Sequence, residues 1–373
     1  MNILFFAHRY WPSVGGVEKY TQRMAQALVS MGHRVCVVAG ATQERLPVEE
    51  IHEGVVIHRF PALRSATRCR CWLLSRLRLF TRADIIQVSN THMLEYYWRM
   101  IGVLVDRRKV FLTRHGMSAR YPVPTSERRR AVRSLALCSG VAHDGRFIER
   151  WLGVKPDICP AQGLHPETDD LQPVPEPPPT SSCYVGRLEP DTGIRIYIDA
   201  VRTLTCDMRL PLTLNVYGDG SLASELRQYC RRARLPVRFH GAVADAQTRI
   251  TESCFAFVDG RMAIQEAMAR RRLVFAAYTN PLKRDYLEGE SFSPYLIAVA
   301  SGEELAHRVA YSISHPDERV DLVSRAHAYT RTLSWHHTAR SYLQLWEERV
   351  TAPRPAVSWN HCLRHAWMLV REA

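Results

Sequence analysis

The sequence predicts a chain of two α/β units, each a mainly parallel sheet covered by helices on both faces. Three observations carry this. Buried strands alternate with amphipathic helices from the N-terminus, a proline-rich stretch interrupts the alternation near the middle, and the same alternation restarts beyond it. Parallel strands need crossover connections of a dozen or more residues, usually helices, and such sheets bury both faces.

In order, Ile3–Ala7 and Arg34–Ala39 read as buried strands. Between them Val17, Tyr20, Met24, Leu28 and Met31 recur at helical spacing, and Gly32 suits the end of that helix. Val55–Phe60, Ile85–Val88 and Val110–Thr113 continue the strands. The run Asp169-Asp170-Leu171-Gln172-Pro173-Val174-Pro175-Glu176-Pro177-Pro178-Pro179-Thr180 reads as a linker, because its prolines support neither a helix nor a central strand. After it come strand Cys183–Gly186, helix Ile194–Leu204, strand Leu212–Tyr217, helix Ser221–Arg234 and strand Val237–His240. Two such units joined by a hinge leave a cleft, and ligands of these sheets bind beyond the carboxyl ends of the strands.

Composition narrows the class. A length of 373 residues suits two domains, and 46% apolar residues suffice for full cores. No run approaches the ~18 apolar residues of a membrane span. The start Met1-Asn2-Ile3-Leu4-Phe5-Phe6-Ala7 lacks the basic region of a signal peptide and reads as a strand, so a cytoplasmic location is expected. Ten cysteines show no CxxC pair and 16 histidines no HExxH, so neither a catalytic metal nor another cofactor is expected. The net charge of +13 is uneven: residues 1–170 hold 25 Lys and Arg against 15 Asp and Glu. Such a half attracts phosphates, an anionic membrane or nucleic acid, or is merely solubilising. No nucleic-acid motif accompanies it, and no nucleic-acid partner is expected.

Four motifs sit where strands meet helices. Pro12-Ser13-Val14-Gly15-Gly16-Val17-Glu18 would let backbone N–H groups approach a phosphate or hydroxyls, or is a tight turn. In Val185-Gly186-Arg187-Leu188-Glu189-Pro190-Asp191-Thr192-Gly193, Arg187 would fork onto a diphosphate, or is a surface arginine. Tyr217-Gly218-Asp219-Gly220-Ser221 is a second glycine turn. In Phe257-Val258-Asp259-Gly260-Arg261-Met262-Ala263-Ile264-Gln265-Glu266-Ala267-Met268-Ala269, Glu266 near a helix start would accept ribose hydroxyls, or is an exposed first-turn glutamate favoured by the helix dipole.

In this order and spacing, the four motifs resemble the retaining GT-B glycosyltransferases of glycosyltransferase family 4 over residues 1–350. Thr113-Arg114-His115-Gly116 looks like the strand end bearing the family's active-site histidine, and Cys159-Pro160-Ala161-Gln162-Gly163-Leu164-His165 replaces the usual Ile-Pro-Asn-Gly-Val-Asp stretch. Ser334-Trp335 resembles the segment that crosses back to the first domain. The resemblance implies two Rossmann-like domains, with an acceptor-side domain 1–168, linker 169–180, nucleotide-sugar domain 181–330, crossover helix 331–350 and extension 351–373. It implies His115, Arg187 and Glu266 as catalytic residues. Gly15, Gly16, Gly186, Arg187, Thr192, Gly218, Asp259 and Glu266 would bind a nucleoside-diphosphate sugar, which is a substrate and not a cofactor, and the acceptor would be a glycan or a lipid-linked glycan.

Two positions depart from the family. Thr192 stands where a lysine is usual, and Val258 where the first motif glutamate falls, with Asp259 next to it. Lys283 or Arg195 would restore the missing charge. A catalytically degenerate GT-B protein acting as a partner subunit is the alternative function.

One basic stretch lies outside these motifs. Residues 64–82 mix Arg68, Arg70, Arg76 and Arg78 with Trp72, Leu73, Leu74, Leu77, Leu79 and Phe80, and Arg128, Arg129, Arg130 and Arg133 form a second cluster. The stretch reads either as an interfacial helix on an anionic membrane or as a helix packed on the first sheet with its arginines in water.

Overall fold

The computed structural model describes residues 1–13, 15–41, 46–60, 66–116, 121–164, 176–243 and 246–351. Residues 169–175 of the linker and residues 352–373 of the C-terminal extension lie outside them.

The first sheet contains β1 (Asn2–Ala7), β2 (Arg34–Gly40), β3 (Glu49–His52), β4 (Val55–Phe60), β5 (Ile85–Val88), β6 (Val110–Arg114) and β7 (Gly140–His143). Its order is β3-β4-β2-β1-β5-β6-β7, and only the β3–β4 pair is antiparallel. Helices α1 (Gly16–Ser30), α2 (Ala66–Ser75), α3 (Leu77–Arg82), α4 (Thr91–Met100), α5 (Thr125–Leu135) and α6 (Phe147–Leu152) connect the strands. The period-2 alternation of a strand decides which layer each residue serves. On β1, Ile3 and Phe5 pack under α1, whereas Leu4 and Phe6 pack under α2, α3 and α4, where Phe6 meets Phe60, Phe80 and Tyr97.

The second sheet contains β8 (Ser181–Val185), β9 (Thr213–Tyr217), β10 (Val237–Gly241), β11 (Phe255–Phe257), β12 (Leu273–Ala277) and β13 (Ile297–Val299), all parallel in the order β10-β9-β8-β11-β12-β13. Helices α7 (Ile194–Arg202), α8 (Ala223–Arg232), α9 (Ala246–Arg249), α10 (Arg261–Ala269), α11 (Pro281–Glu288), α12 (Gly302–Ser314) and α13 (Pro316–Thr330) cover it. Both sheets match the strand–helix alternation of the sequence. The expected helix 194–204 ends at Arg202 and passes into a π-helical turn over Thr203–Asp207, and the expected helix 221–234 is shorter at both ends.

The last helix, α14 (Trp335–Thr351), returns to the first sheet, and Trp335, Tyr342 and Trp346 enter the core beside α1. A buried polar chain ties it down. Trp346 Nε1 donates to Gln87 Oε1 (3.1 Å), Gln87 Nε2 donates to Thr113 Oγ1 (3.0 Å), and Tyr342 OH lies 2.8 Å from Thr113 Oγ1 and accepts from Tyr20 OH (2.9 Å). Truncating a buried tryptophan such as Trp346 costs about 3–5 kcal/mol, so α14 is a structural part of the first domain.

The stretch 64–82 is not one helix. α2 and α3 break at Arg76, and Cys69, Leu73 and Phe80 are buried against the first sheet while Trp72, Leu77 and Leu79 pack around them. Arg76 lies over the Trp72 ring at 5.5 Å and pairs with Glu49 at 3.3 Å. The apolar residues therefore serve the core, and Leu74 is the exposed large apolar residue among the described part of the stretch. Arg68, Arg70 and Arg78 are exposed, as are Arg128, Arg129 and Arg133. No helix among the described residues is long and apolar enough to cross a membrane.

Candidate active site

The carboxyl ends of the two sheets face one cleft. From the first domain β6 delivers Thr113, Arg114 and His115. Arg114 turns inward and is 4% exposed. It donates to His143 Nε2 (2.8 Å), Ala131 O (2.8 Å) and Ser134 Oγ (2.5 Å), so it is a structural anchor. Burial and the Arg114 charge push the His143 pKa down to about 3, which keeps that ring neutral and able to accept the Arg114 bond.

His115, one residue on, faces Asp144. Its Nδ1 is 3.3 Å from Asp144 Oδ2, and its ring meets Tyr20 edge-on at 4.5 Å between centroids. Asp144 Oδ1 accepts the Gly116 N–H (3.0 Å), and Gln162 Nε2 donates to Oδ2 (3.5 Å). Burial alone would raise the Asp144 pKa. The bond and charge of His115, the Arg261 charge and the Gly116 N–H outweigh it and hold the carboxyl below the ordinary range.

Across the cleft, Arg261 and Glu290 of the second domain form a buried pair at 2.7 Å, and Glu290 Oε1 also accepts the backbone N–H of Arg146 in the first domain (2.8 Å). Nearby, Asp285 of α11 receives Arg150 Nη1 (3.0 Å) and Trp151 Nε1 (2.8 Å) of α6. The two domains thus meet through directed polar contacts.

Glu266 is the sixth residue of α10 and lies beyond the first turn, so a dipole-favoured exposed glutamate is not its role. Its side chain is 13% exposed and pairs with Lys19 of α1 at 3.4 Å. Burial raises its pKa, and Lys19 and Arg270 partly oppose this. It opens into a polar pocket lined by Lys19 and Arg23 of α1, Gly163, Gln265, Arg270 and Trp335. A larger open hollow lies between residues 157–160 and α14 and is lined by none of Lys19, Arg23, Glu266 and Arg270.

The two glycine turns of the second domain are one assembly. Gly218 has φ +156°, and a Cβ there would lie 1.8 Å from Gly186 O. Leu188 N–H donates to Asp219 O (2.9 Å), and Glu189 accepts from Ser221 N (3.0 Å) and Oγ (2.5 Å). Packing of one loop on the other accounts for Gly218 without any ligand. Gly16 differs, since a Cβ there would meet nothing within 4 Å, whereas a Cβ on the neighbouring Gly15, the N-cap of α1, would run into the Glu18 carboxylate.

Arg187 on this double loop is exposed and pairs with Asp191 at 2.8 Å. Thr192 is buried, and its hydroxyl lies 2.8 Å from Arg187 O and 2.9 Å from Glu189 O, stapling the loop from inside. Arg195 is paired with Glu225 at 2.8 Å on the helical surface. Lys283 instead lies at the carboxyl end of β11, where its Nζ donates to Asp259 O (2.6 Å), stands 3.6 Å from Asp259 Oδ2 and lies over the Tyr286 ring. Asp259 is 7% exposed, and Val258 is fully buried in the core.

His115, Asp144, Asp259 and Arg187 follow strand ends, Lys283 lies in the first turn of α11, and Glu266 lies further along α10, so both Rossmann-like domains contribute to the site. Asp144, Lys19 and Glu290 are absent from the sequence reading. Asp144 carries one local signal, its place directly after the short strand β7.

Two facing Rossmann-like domains with a C-terminal helix crossing back define the GT-B fold. Residues 14–145, within the first domain, match the family model of Glycosyltransferase Family 4. Similar solved structures include the Anabaena protein HepE in complex with UDP, 17% identical, covering 92% of this chain and 100% of its own with a TM-score of 0.72. Sucrose-phosphate synthase from Thermosynechococcus elongatus is 15% identical over 93% of this chain and 98% of its own, with a TM-score of 0.72. WaaG, a glycosyltransferase involved in lipopolysaccharide biosynthesis, is 13% identical over 94% and 100%, with a TM-score of 0.64. No curated protein matches the chain in sequence.

Proposed function

We propose that this protein is a retaining glycosyltransferase that moves a sugar from a nucleoside-diphosphate sugar to an acceptor hydroxyl, in glycan or cell-envelope polysaccharide synthesis. The observation that carries the reading is that His115 of the first domain and Glu266 of the second meet neighbouring residues of one helix, Tyr20 and Lys19 of α1, where the two Rossmann-like domains face each other. The likeness to HepE, solved with UDP and with UDP-glucose, supports a uridine donor, and the likeness to WaaG supports an envelope glycan.

In the reaction, the bond from the anomeric carbon to the diphosphate breaks with its electron pair on the phosphate oxygen. The acceptor oxygen then bonds to the same face of the sugar, and the acceptor's proton passes to the departing phosphate. Negative charge grows on the leaving group while the sugar becomes oxocarbenium-like, so fixed cations and N–H groups aimed at the diphosphate lower the barrier. Arg187 and the backbone N–H groups beside Gly16 at the start of α1 are suited to this role once the Glu18 carboxylate, which lies against Gly15, swings away. Lys283, held beside Asp259, supplies a cation that Thr192 does not. Glu266 takes the ribose hydroxyls, exchanging Lys19 for them. Closure of the cleft excludes water and suppresses hydrolysis.

The exposed arginines of the first domain, Arg68, Arg70 and Arg78 with Arg128 and Arg129, would bring it to an anionic membrane surface bearing a lipid-linked acceptor. With Cys69, Leu73 and Phe80 in the core, that attraction is chiefly electrostatic.

The direct test is thermal unfolding with UDP, GDP, ADP and dTDP in turn. A ligand of the folded state at 100 times its Kd adds about 2.7 kcal/mol. One of the four should raise the unfolding temperature, and the product's anomeric configuration should match the donor's. A protein that none of them stabilises is not an enzyme of this kind. Stabilisation without transfer would favour the degenerate partner subunit.

A further inference from the structure

We propose that Asp144 is a positioning residue that fixes the tautomer of His115, with the proton on Nδ1 and Nε2 left as an acceptor. The geometry stands by itself, and only the kinetic consequence rests on the glycosyltransferase reading. An ionised carboxylate has no proton to give, so its oxygens only accept. Both oxygens of Asp144 are engaged in that way, Oδ1 by the Gly116 N–H and Oδ2 by His115 Nδ1 and Gln162 Nε2. The proton between His115 and Asp144 therefore belongs to Nδ1. Among the described residues nothing hydrogen-bonds His115 Nε2, which leaves it for a hydroxyl of a bound sugar. The Tyr20 ring, itself held by Tyr342, stands edge-on to the imidazole and limits its rotation.

The ionised state has its own support. Arg261 from the second domain contributes its charge to Asp144, and its partner Glu290 grips the backbone N–H of Arg146, two residues along the same loop. The loop that aims the carboxylate and the charge that keeps it ionised are thus held by one buried pair from across the cleft.

Asp144→Asn tests this sharply. The Gly116 N–H is a backbone donor and cannot reverse, so the amide oxygen of asparagine must stay opposite it. The new NH2 then faces His115 and Gln162. Gln162 can turn its own amide round, whereas His115 Nδ1 can receive the NH2 only after losing its proton. The tautomer reverses, and Nε2 becomes a donor.

The measurement is 15N NMR of histidine-labelled full-length protein in mildly alkaline buffer, with the His115 signals assigned by comparison with His115→Gln. Wild type should carry the proton on Nδ1 and Asp144→Asn on Nε2, with the same unfolding temperature. With the nucleotide sugar that the wild type consumes, Asp144→Asn should lower kcat by about 10-fold or more, the scale of one lost hydrogen bond, with donor KM little changed. The wild-type tautomer is read without Asp144→Asn, so misfolding of that variant would not rescue the proposal. A wild-type His115 protonated on Nε2, or one tautomer in both proteins, would overturn it. Reversal of the tautomer with kcat unchanged would remove its catalytic consequence. Reversal in a protein that consumes no nucleotide sugar would uphold the positioning and sink the glycosyltransferase reading.

Discussion

Replacing Arg187 with alanine separates a donor-binding arginine from a merely superficial one. The side chain is 68% exposed, and its contact is the 2.8 Å pair with Asp191 one helical turn away in sequence. Exposed pairs of this kind contribute about 0–1 kcal/mol. In a domain of this size that shifts the unfolding temperature by at most ~2–4 °C. A charge-assisted bond to the diphosphate is worth roughly 1.5–3 kcal/mol, which is about 10- to 150-fold in Kd. Arg187→Ala should therefore bind UDP or whichever nucleoside diphosphate protects the wild type 10- to 150-fold more weakly, by roughly that range, while unfolding almost where the wild type does. Asp191→Asn, which releases Arg187 from its partner, should bind at least as tightly as wild type. Isothermal titration calorimetry measures both affinities. An Arg187→Ala protein with wild-type affinity would show that the side chain is a solvated surface charge and that the reasoning from its loop was mistaken.

Four other perturbations follow from the same geometry. Gly218→Ala should destabilise the second domain by about 3 kcal/mol or more and abolish nucleotide protection, because its Cβ would run into Gly186 O; a near-normal unfolding temperature would refute the loop-on-loop account. Thr192→Lys should lower stability by about 1 kcal/mol and leave the diphosphate no tighter bound, since the threonine hydroxyl holds the loop from inside; calorimetry that finds tighter binding would show the lysine reaching the donor. Burial raises the folded-state pKa of Glu266, so this group stabilises the protein below its unfolded pKa, and the contribution fades as pH rises through the higher folded value. Glu266→Gln should flatten that part of the stability–pH curve and weaken donor binding, and an unchanged curve would contradict the assignment. Flotation with anionic liposomes should succeed at low salt, fail at high salt, and drop when Arg68, Arg70 and Arg78 become glutamine; equal recovery with neutral vesicles would leave a soluble acceptor.

Elements with a strong local period were legible in the sequence. Helix α1 announces itself through Tyr20, Met24 and Leu28, all buried, and Gly32 takes the left-handed conformation just past its end. Strands β1, β2 and β5 are mainly apolar runs of central parallel type, and β4 and β6 open on apolar runs before His58-Arg59 and Thr113-Arg114. The strands left unassigned are mostly short or polar. β3 reads Glu-Glu-Ile-His at a sheet edge, β7 has four residues, and β11 and β13 have three each. β12 is a continuous apolar run, Leu273-Val274-Phe275-Ala276-Ala277, and was open to recognition by the same rule as β1.

The site was legible by motif and not by partner. His115 and Glu266 stand out through their neighbours in sequence, but what each one touches lies far along the chain. Asp144 is 29 residues from His115, and Lys19 is 247 residues from Glu266. No periodicity reports such pairs. The arginine- and leucine-rich stretch 64–82 shows the opposite limit. Its composition fits an interfacial helix, yet Cys69, Leu73 and Phe80, which recur at helical spacing, all enter the core of the first domain.

The central claim is that this cleft transfers a sugar from a nucleotide donor, and release of nucleoside diphosphate tests it most directly. The full-length protein should be incubated with UDP-glucose and a panel of other nucleotide sugars, with and without membrane glycolipid extract, and the diphosphate product quantified. The account predicts that one donor is consumed, that the extract accelerates its consumption, and that His115→Ala and Glu266→Ala, both folded, each lose most of the rate. Consumption of no donor by the wild type, or an undiminished rate in both variants, would contradict it.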